Sequence, residues 1–360
     1  MRNPLSVLGR WVASRRAGTD SGESDAGSAA LRTDGGEASD ARRASSELRS
    51  DGGQAEASTS FFDRDSVRSA PFWLPPTLLV GLFVYGAIGW NVLLSLTDFT
   101  GLGTPDYSSL DFENYVIAFQ GGTPSWSELT VDPIWNSFQN TLILIVAFAV
   151  VCLALGLLLA ILVDQEIRFE NTFRTIYLLP MSLSFVVTAK FWLYMYNPQT
   201  GLINITLGLF GIGPIEIVQN PELKLGAVAF ALVWQFSGYA MIVYLAGLRA
   251  IPTSHFEAAR VDGASTIRMY WRVIIPQLRT ATVSALVVLT VFALKAFDFL
   301  FSMYGYQPGP SADILATRMV REAYSNGNWA YGSAIAVILF LLALAIVAPY
   351  IYSQYQRGEL

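Results

Sequence analysis

The chain has 360 residues, 53% of them hydrophobic and 14% charged, with a mean hydropathy of +0.42. This balance excludes an ordinary soluble domain and places the chain among membrane proteins. At a net charge of −5 and a pI near 5.0, no nucleic-acid partner is expected.

Residues 1–70 are rich in Ser, Ala, Gly, Asp and Arg, and their ten arginines and eleven acids nearly cancel. Such a segment buries too little apolar surface to fold alone, so it reads as a disordered cytoplasmic tail and not as a polybasic lipid-binding arm. Neither Arg15-Arg16 nor Arg42-Arg43 precedes an apolar region, and no cleavable signal peptide is visible.

A bilayer core needs about 20 helical residues to cross it. Six apolar segments fit: residues 73–96, 140–163, 175–196, 227–248, 282–304 and 331–351. The third and fifth are the least apolar. Residues 97–136 contain no Lys or Arg but hold Asp98, Asp106, Asp111, Glu113, Glu128 and Asp132. By contrast, Arg168 and Arg174 follow the second span, and Arg249, Arg260, Arg268, Arg272 and Arg279 follow the fourth. Basic residues collect on the cytoplasmic side, which predicts both termini inside; Arg318 and Arg321, before the last span, go against the pattern. The fold class is therefore an all-α membrane protein with six transmembrane helices and both termini cytoplasmic.

Cys152 is the one cysteine and His255 the one histidine, so neither an internal disulfide nor a structural zinc site is expected. A P-loop needs Gly-Lys followed by Ser or Thr, and none of Lys190, Lys224 and Lys295 follows a glycine. The chain carries no nucleotide site of that kind and is not expected to be an enzyme.

The loop after the fourth span carries the most specific pattern. Ser254-His255-Phe256-Glu257 fits a capping box. Ala258-Ala259 keeps the helix surface low enough for close docking, and Gly263 suits the left-handed end of that helix. A second helix is predicted from near Ser265 to Ile275, with Pro276 kinking the entry into the fifth span. On a bland reading these are a cap, a helix stop and cytoplasmic anchors. The sequence Glu257-Ala258-Ala259, three residues, Gly263, nine residues, then Val273-Ile274-Ile275-Pro276 instead resembles the signature loop of binding-protein-dependent ABC importer permeases, the carbohydrate type in particular, where Asp262-Gly263-Ala264-Ser265 is a common variant. The similarity continues in Ser137 to Thr141, in Leu245 to Leu248, in Phe297-Asp298 with Gln307 to Pro310, and in Tyr331 to Val337, where Pro308 departs from the usual glycine. It covers residues 70–355.

The resemblance implies a type I importer permease, with a first transmembrane helix and outer loop over 71–134 and a permease core over 135–355 whose coupling loop spans 250–280. It implies a second, similar permease as partner, a heterodimer being usual, together with two ABC ATPase subunits and an extracytoplasmic solute-binding protein. ATP and Mg belong to the ATPase, and this chain needs no cofactor of its own. Glu257, Ala258, Ala259, Asp262, Gly263 and Pro276 would form the ATPase-coupling loop. The solute class is a sugar, with a polyol, a glycerophosphodiester or a peptide as rivals.

For the substrate pathway, Lys295 and Asp298 lie three residues apart in the fifth span, either lining the pathway or pairing structurally. Trp234, Gln235, Ser237 and Tyr239 combine rings with hydrogen-bonding groups as a sugar would require, or serve packing alone. Lys190 reads as structural or snorkelling. An ion-coupled secondary transporter would explain six spans and the Lys295–Asp298 pair but shows no internal repeat here and leaves the loop unexplained. A membrane-embedded enzyme lacks a zinc-protease motif and paired intramembrane carboxylates.

Overall fold

A computed structural model describes residues 65–120, 133–165 and 169–356. The chain divides into two compact units, Met1–Leu74 and Pro75–Leu360. Of the first, the described part is residues 65–74, which open helix α1; the tail expected over residues 1–70 otherwise lies outside the described residues. No strand occurs among the described residues.

Helix α1 (Asp65–Val80) continues through a π-helical turn (Gly81–Tyr85) into α2 (Gly86–Leu94), and the short α3 (Glu113–Phe119) follows a loop. Then come α4 (Pro133–Val163), α5 (Glu170–Leu178), α6 (Phe185–Met195), α7 (Leu202–Leu209) and α8 (Pro221–Ala250). The signature loop forms α9 (Thr253–Val261), α10 (Thr266–Met269) and α11 (Ile275–Gln277), and the chain ends with α12 (Arg279–Leu294), α13 (Phe297–Tyr304), α14 (Leu315–Val320) and α15 (Trp329–Gln356).

Among the described residues, four helical stretches are long and apolar enough to cross a membrane: Ser69–Leu94, Ile134–Val163, Pro221–Ala250 and Trp329–Gln356. Two more qualify only as bent pairs, Glu170–Ser182 with Phe185–Met195 at 100° and Thr266–Gln277 with Arg279–Leu294 at 67°. The third and fifth predicted spans therefore count as spans only if each bent pair is taken as one, so the described residues hold four to six. Pro180 supplies the first break: it lacks an amide hydrogen and sits in a 3₁₀ turn, Leu179–Ser182. Ser184 then restarts the helix, its hydroxyl accepting the Val187 amide at 3.3 Å.

Helix α8 is the hub. Its most apolar stretch is 67% buried, against 6% for the first span and 11% for the last. The outer helices therefore present continuous apolar surface, as a bilayer-facing protein must. Two glycines let backbones approach α8. A Cβ at Gly156 of α4 would lie 2.4 Å from Ala240 Cβ, and one at Gly238 of α8 would lie 2.0 Å from the Tyr177 carbonyl oxygen.

Phenylalanines from five helices lock the centre. Phe236 meets Phe148 edge-on at 5.8 Å and Phe292 at 4.4 Å, while Phe185, the first residue of α6, contacts Phe236, Phe292 and Phe299. Between membrane spans such rings hold by close packing rather than by exclusion of water, so the reversal between α5 and α6 is held by these contacts as well as by Pro180.

Candidate functional site

In the signature loop, α9 starts two residues earlier than the sequence pattern suggests. Pro252 is its N-cap, with φ −57° and no side-chain cap bond, so Ser254 lies inside the helix and the capping box does not form. Proline's fixed φ already sets up the first turn, and Glu257 is left exposed. The far end of α9 matches expectation: Gly263 has φ +72°. The Gly263 amide bonds the Arg260 carbonyl and the Ala264 amide bonds the Ala259 carbonyl, each at 3.0 Å. This is the paired Schellman closure that needs a left-handed residue.

The second loop helix is not a simple α-helix. Ser265 is its N-cap, but Tyr270–Ile274 widens into a π turn whose C-cap amide, Ile275, reaches back to the Tyr270 carbonyl. Pro276 has no amide to offer the Arg272 carbonyl, and a wider turn at such a point is its usual relief. The bend follows at Leu278, which is buried at 2% exposure.

One side of this loop is clamped. Ala259, Met269, Tyr270, Ile274 and Leu278 pack with Ala160 and Val163 from the end of α4 and with Met241, Tyr244, Leu245 and Leu248 of α8. Phe256 meets Tyr270 edge-on at 6.5 Å, and the Gln165 side chain donates to the Tyr270 hydroxyl at 3.1 Å. Arg249 pairs with Glu170 at 2.6 Å and with Asp164 at 3.7 Å nearby. The opposite side is open and mixed in character. Glu257, Ala258, Arg260, Asp262 and Arg268 are exposed beside Val261 at 87%, Ile267 at 74% and Trp271 at 69%. Three large apolar side chains thus stand uncovered among charges on this side. Val261, Ile267 and Trp271 escaped the sequence reading because they sit at ordinary spacer positions of the pattern.

The pathway candidates separate. Lys295 and Asp298 do not share a helix: α12 ends at Leu294, α13 begins at Phe297, and Lys295 and Ala296 are the caps between them. Both side chains are exposed and make no ion pair among the described residues. Trp234 stacks on Phe191 at 5.7 Å and 18° and meets Trp192 edge-on at 5.6 Å. Gln235 is buried at 1% and donates to the Leu183 carbonyl at 2.8 Å, bracing the break between α5 and α6. Tyr239 is partly buried against the central core.

At the end of the fold remote from the loop, sequence motifs singled out separately form one junction. The Ser137 hydroxyl donates to Asp313 at 3.0 Å, Asn140 donates to the carbonyls of Pro310 at 2.7 Å and Asp313 at 2.9 Å, and the Leu315 amide donates to Thr141 at 3.0 Å. Asp313 in turn takes both terminal nitrogens of Arg321, at 2.6 and 2.9 Å, with Arg318 at 3.8 Å. Arg318 also pairs with Glu322 at 3.3 Å. The Asp313 carboxylate holds the Arg321 guanidinium above its ordinary pKa, burial opposing. The two arginines that went against the charge pattern are thus neutralised locally by two carboxylates. Asp313 and Glu322 were not foreseen, since nothing local links Asp313 to Ser137, 176 residues away.

Comparison with known proteins identifies the class to which this helical membrane fold belongs. The family described as "Binding-protein-dependent transport system inner membrane component" matches residues 152–358, and the chain belongs to this family of ABC importer permeases. It is 53% identical over 301 residues to the xylose/arabinose import permease protein XacH of Haloferax volcanii, covering 83% of this chain and 92% of that one. A probable ABC transporter permease of Pyrococcus horikoshii is 45% identical over 291 residues, covering 80% and 96%. In structure, a bacterial ABC transporter that imports the acidic polysaccharide alginate superposes with a TM-score of 0.67 at 22% identity, over 81% of this chain and 97% of that one. At that identity the likeness shows the fold alone.

Proposed function

We propose that this chain forms part of the translocation pathway of an ATP-driven sugar importer and couples to a separate ATPase through α9–α11. The observation that carries the reading is the two-sided loop: one face clamped into α4 and α8, the other presenting Glu257, Val261, Ile267 and Trp271. A partner that displaces this face moves two long helices with it, and Gly263 and Pro276 set the angles through which it does so. Such a subunit works as a rigid-body switch between two packings. ATP and Mg act on the ATPase, not here.

The loop then faces the cytoplasm, with both termini, and the acidic 97–136 segment faces out. The full assembly has two ATPase subunits, a second permease in heterodimer and an extracytoplasmic solute-binding protein; a related alginate transporter has been solved in complex with a pentasaccharide-bound periplasmic protein. Sugar is favoured by the names of relatives, XacH above and the trehalose/maltose permease MalF of Thermococcus litoralis, 30% identical over 197 residues. Lys295 and Asp298 face the pathway, because an unpaired charge within a span costs about 2.5–3.5 kcal/mol if it faces lipid. Trp234 and Tyr239 contribute rings from α8, and Gln235 braces behind them.

The test is purification of the tagged chain from its host in mild detergent. An ATPase and a second permease are expected with the wild type and lost or weakened with Glu257→Lys and Gly263→Pro. A wild-type chain that emerges alone, under conditions where comparable complexes survive, would sink the coupling reading and reopen an ion-coupled carrier built on Lys295 and Asp298.

A further inference from the structure

A cavity of about 260 Å³ lies between the first turns of α12 and the end of α15. Its apolar wall includes Val283, Leu286, Ile346 and Pro349, and Arg279, Thr280, Tyr350 and Gln354 bring polar groups to it. Arg279 is exposed and makes no ion pair among the described residues. It opens α12, whose N-terminus has no side-chain cap and adds its positive end. Gln354 is 9% exposed, and its amide nitrogen donates to the Tyr350 hydroxyl at 3.0 Å, which shares a 3.0 Å hydrogen bond with Ser284. That chain holds the Gln354 amide in one orientation and leaves its buried Oε1 without a partner.

We propose that this groove binds one anionic phospholipid whose headgroup carries hydroxyls, of the phosphatidylglycerol type. Each part of that ligand meets a matching group. The phosphodiester sits on Arg279 at the helix N-terminus, a headgroup hydroxyl donates to Gln354 Oε1, and an acyl chain follows the apolar wall. A free glycerophosphate would satisfy only the polar half. Zwitterionic lipid would bring an ammonium against Arg279, and phosphatidic acid, whose hydroxyl belongs to the phosphate itself, would bring no headgroup alcohol to Gln354. The groove opens at the 67° bend between α11 and α12, so the lipid braces the elbow through which the signature loop meets its span. The site needs α12 and α15 in a bilayer but no ATPase, and it stands independently of the coupling reading.

Native mass spectrometry on the purified complex tests this, with equimolar phosphatidylglycerol, phosphatidic acid and phosphatidylcholine. Phosphatidylglycerol should be retained most. Arg279→Gln should weaken its retention about tenfold, the scale of one charge-assisted hydrogen bond, whereas Arg272→Gln, an exposed arginine outside the groove, should not. Gln354→Leu should keep affinity for anionic lipid but erase the preference for phosphatidylglycerol over phosphatidic acid, a change that simple loss of fold or of surface charge would not produce. Millimolar sn-glycerol 1-phosphate should fail to displace the lipid. The proposal is overturned by equal retention of all three lipids, by unchanged retention in Arg279→Gln, by displacement with the free phosphate, or by retention confined to the isolated chain, which would mean that the second permease covers the groove.

Discussion

Replacing Asp313 by asparagine keeps the shape of the remote junction and removes its charge. In the folded chain the carboxylate takes two bonds from Arg321, at 2.6 and 2.9 Å, stands 3.8 Å from Arg318 and accepts from Ser137 at 3.0 Å. Asparagine retains one oxygen for Ser137 or Arg321 but leaves two positive guanidiniums facing Glu322 alone. Breaking a buried pair from one side costs about 3–5 kcal/mol. Arg321 keeps 16% side-chain exposure, which moderates this, so a loss of about 2–4 kcal/mol is expected, or roughly 4–8 °C in Tm for a unit of this size. Thermal unfolding followed by tryptophan fluorescence in detergent would measure it. Combined with Arg321→Gln, the loss should fall short of the sum of the single changes by more than about 1 kcal/mol. A Tm within 1 °C of wild type, or strict additivity in the double variant, would refute the junction as a stabilising ion pair.

Two glycines of α8 should behave oppositely. Gly238→Ala places a carbon 2.0 Å from the Tyr177 carbonyl and should abolish stable expression, while Gly226→Ala, with nothing within 4 Å, should be neutral or stabilise by about 0.5–1 kcal/mol. At Gly263, alanine should cost about 1–2 kcal/mol of left-handed strain, and asparagine less, as read by chemical denaturation of the purified chain. Trp271→Ala removes a side chain that is 69% exposed, so Tm should hold while stimulated ATPase activity of the assembled complex falls. Lys295→Met, at an exposed and unpaired position, should likewise leave Tm unchanged but lower solute uptake in vesicles; a Tm loss of several degrees would instead mean a structural pairing.

Where one residue dictated the backbone, the sequence was readable. Gly263 could be placed because its turn tolerates little else, and Pro276 because its missing amide must perturb whatever helix contains it. Pro180 carried the same signal inside the third span, yet a 100° reversal does not follow from one proline without the Phe185 contacts that stabilise it. The break at Lys295-Ala296 has no local signature, so two charges three residues apart looked like neighbours on a helix they do not share. Ser254 and Glu257 formed a sound capping pattern that lost to Pro252, two residues earlier. The Asp313 network was invisible for a plainer reason: its partners are brought together by tertiary packing alone. Family membership was legible from the loop spacing, whereas the exposed face made by Val261, Ile267 and Trp271 required knowing which side of α9–α11 is covered.

Helix α4 is engaged at both ends, by Ser137, Asn140 and Thr141 at the Asp313 junction and by Ala160 and Val163 beneath the signature loop. Its 31 residues make a rod of about 46 Å at 1.5 Å per residue. Each docking site fixes an azimuth as well as a height. Inserting one residue between them would turn one end by about 100° and strip it of every partner, while a seven-residue insertion would restore the angle but lengthen the rod by about 10 Å. The helix therefore acts as a gauge, keeping the two faces of the protein at one separation and one phase. Length changes in relatives should then gather in the loops, and this span should vary by substitution alone.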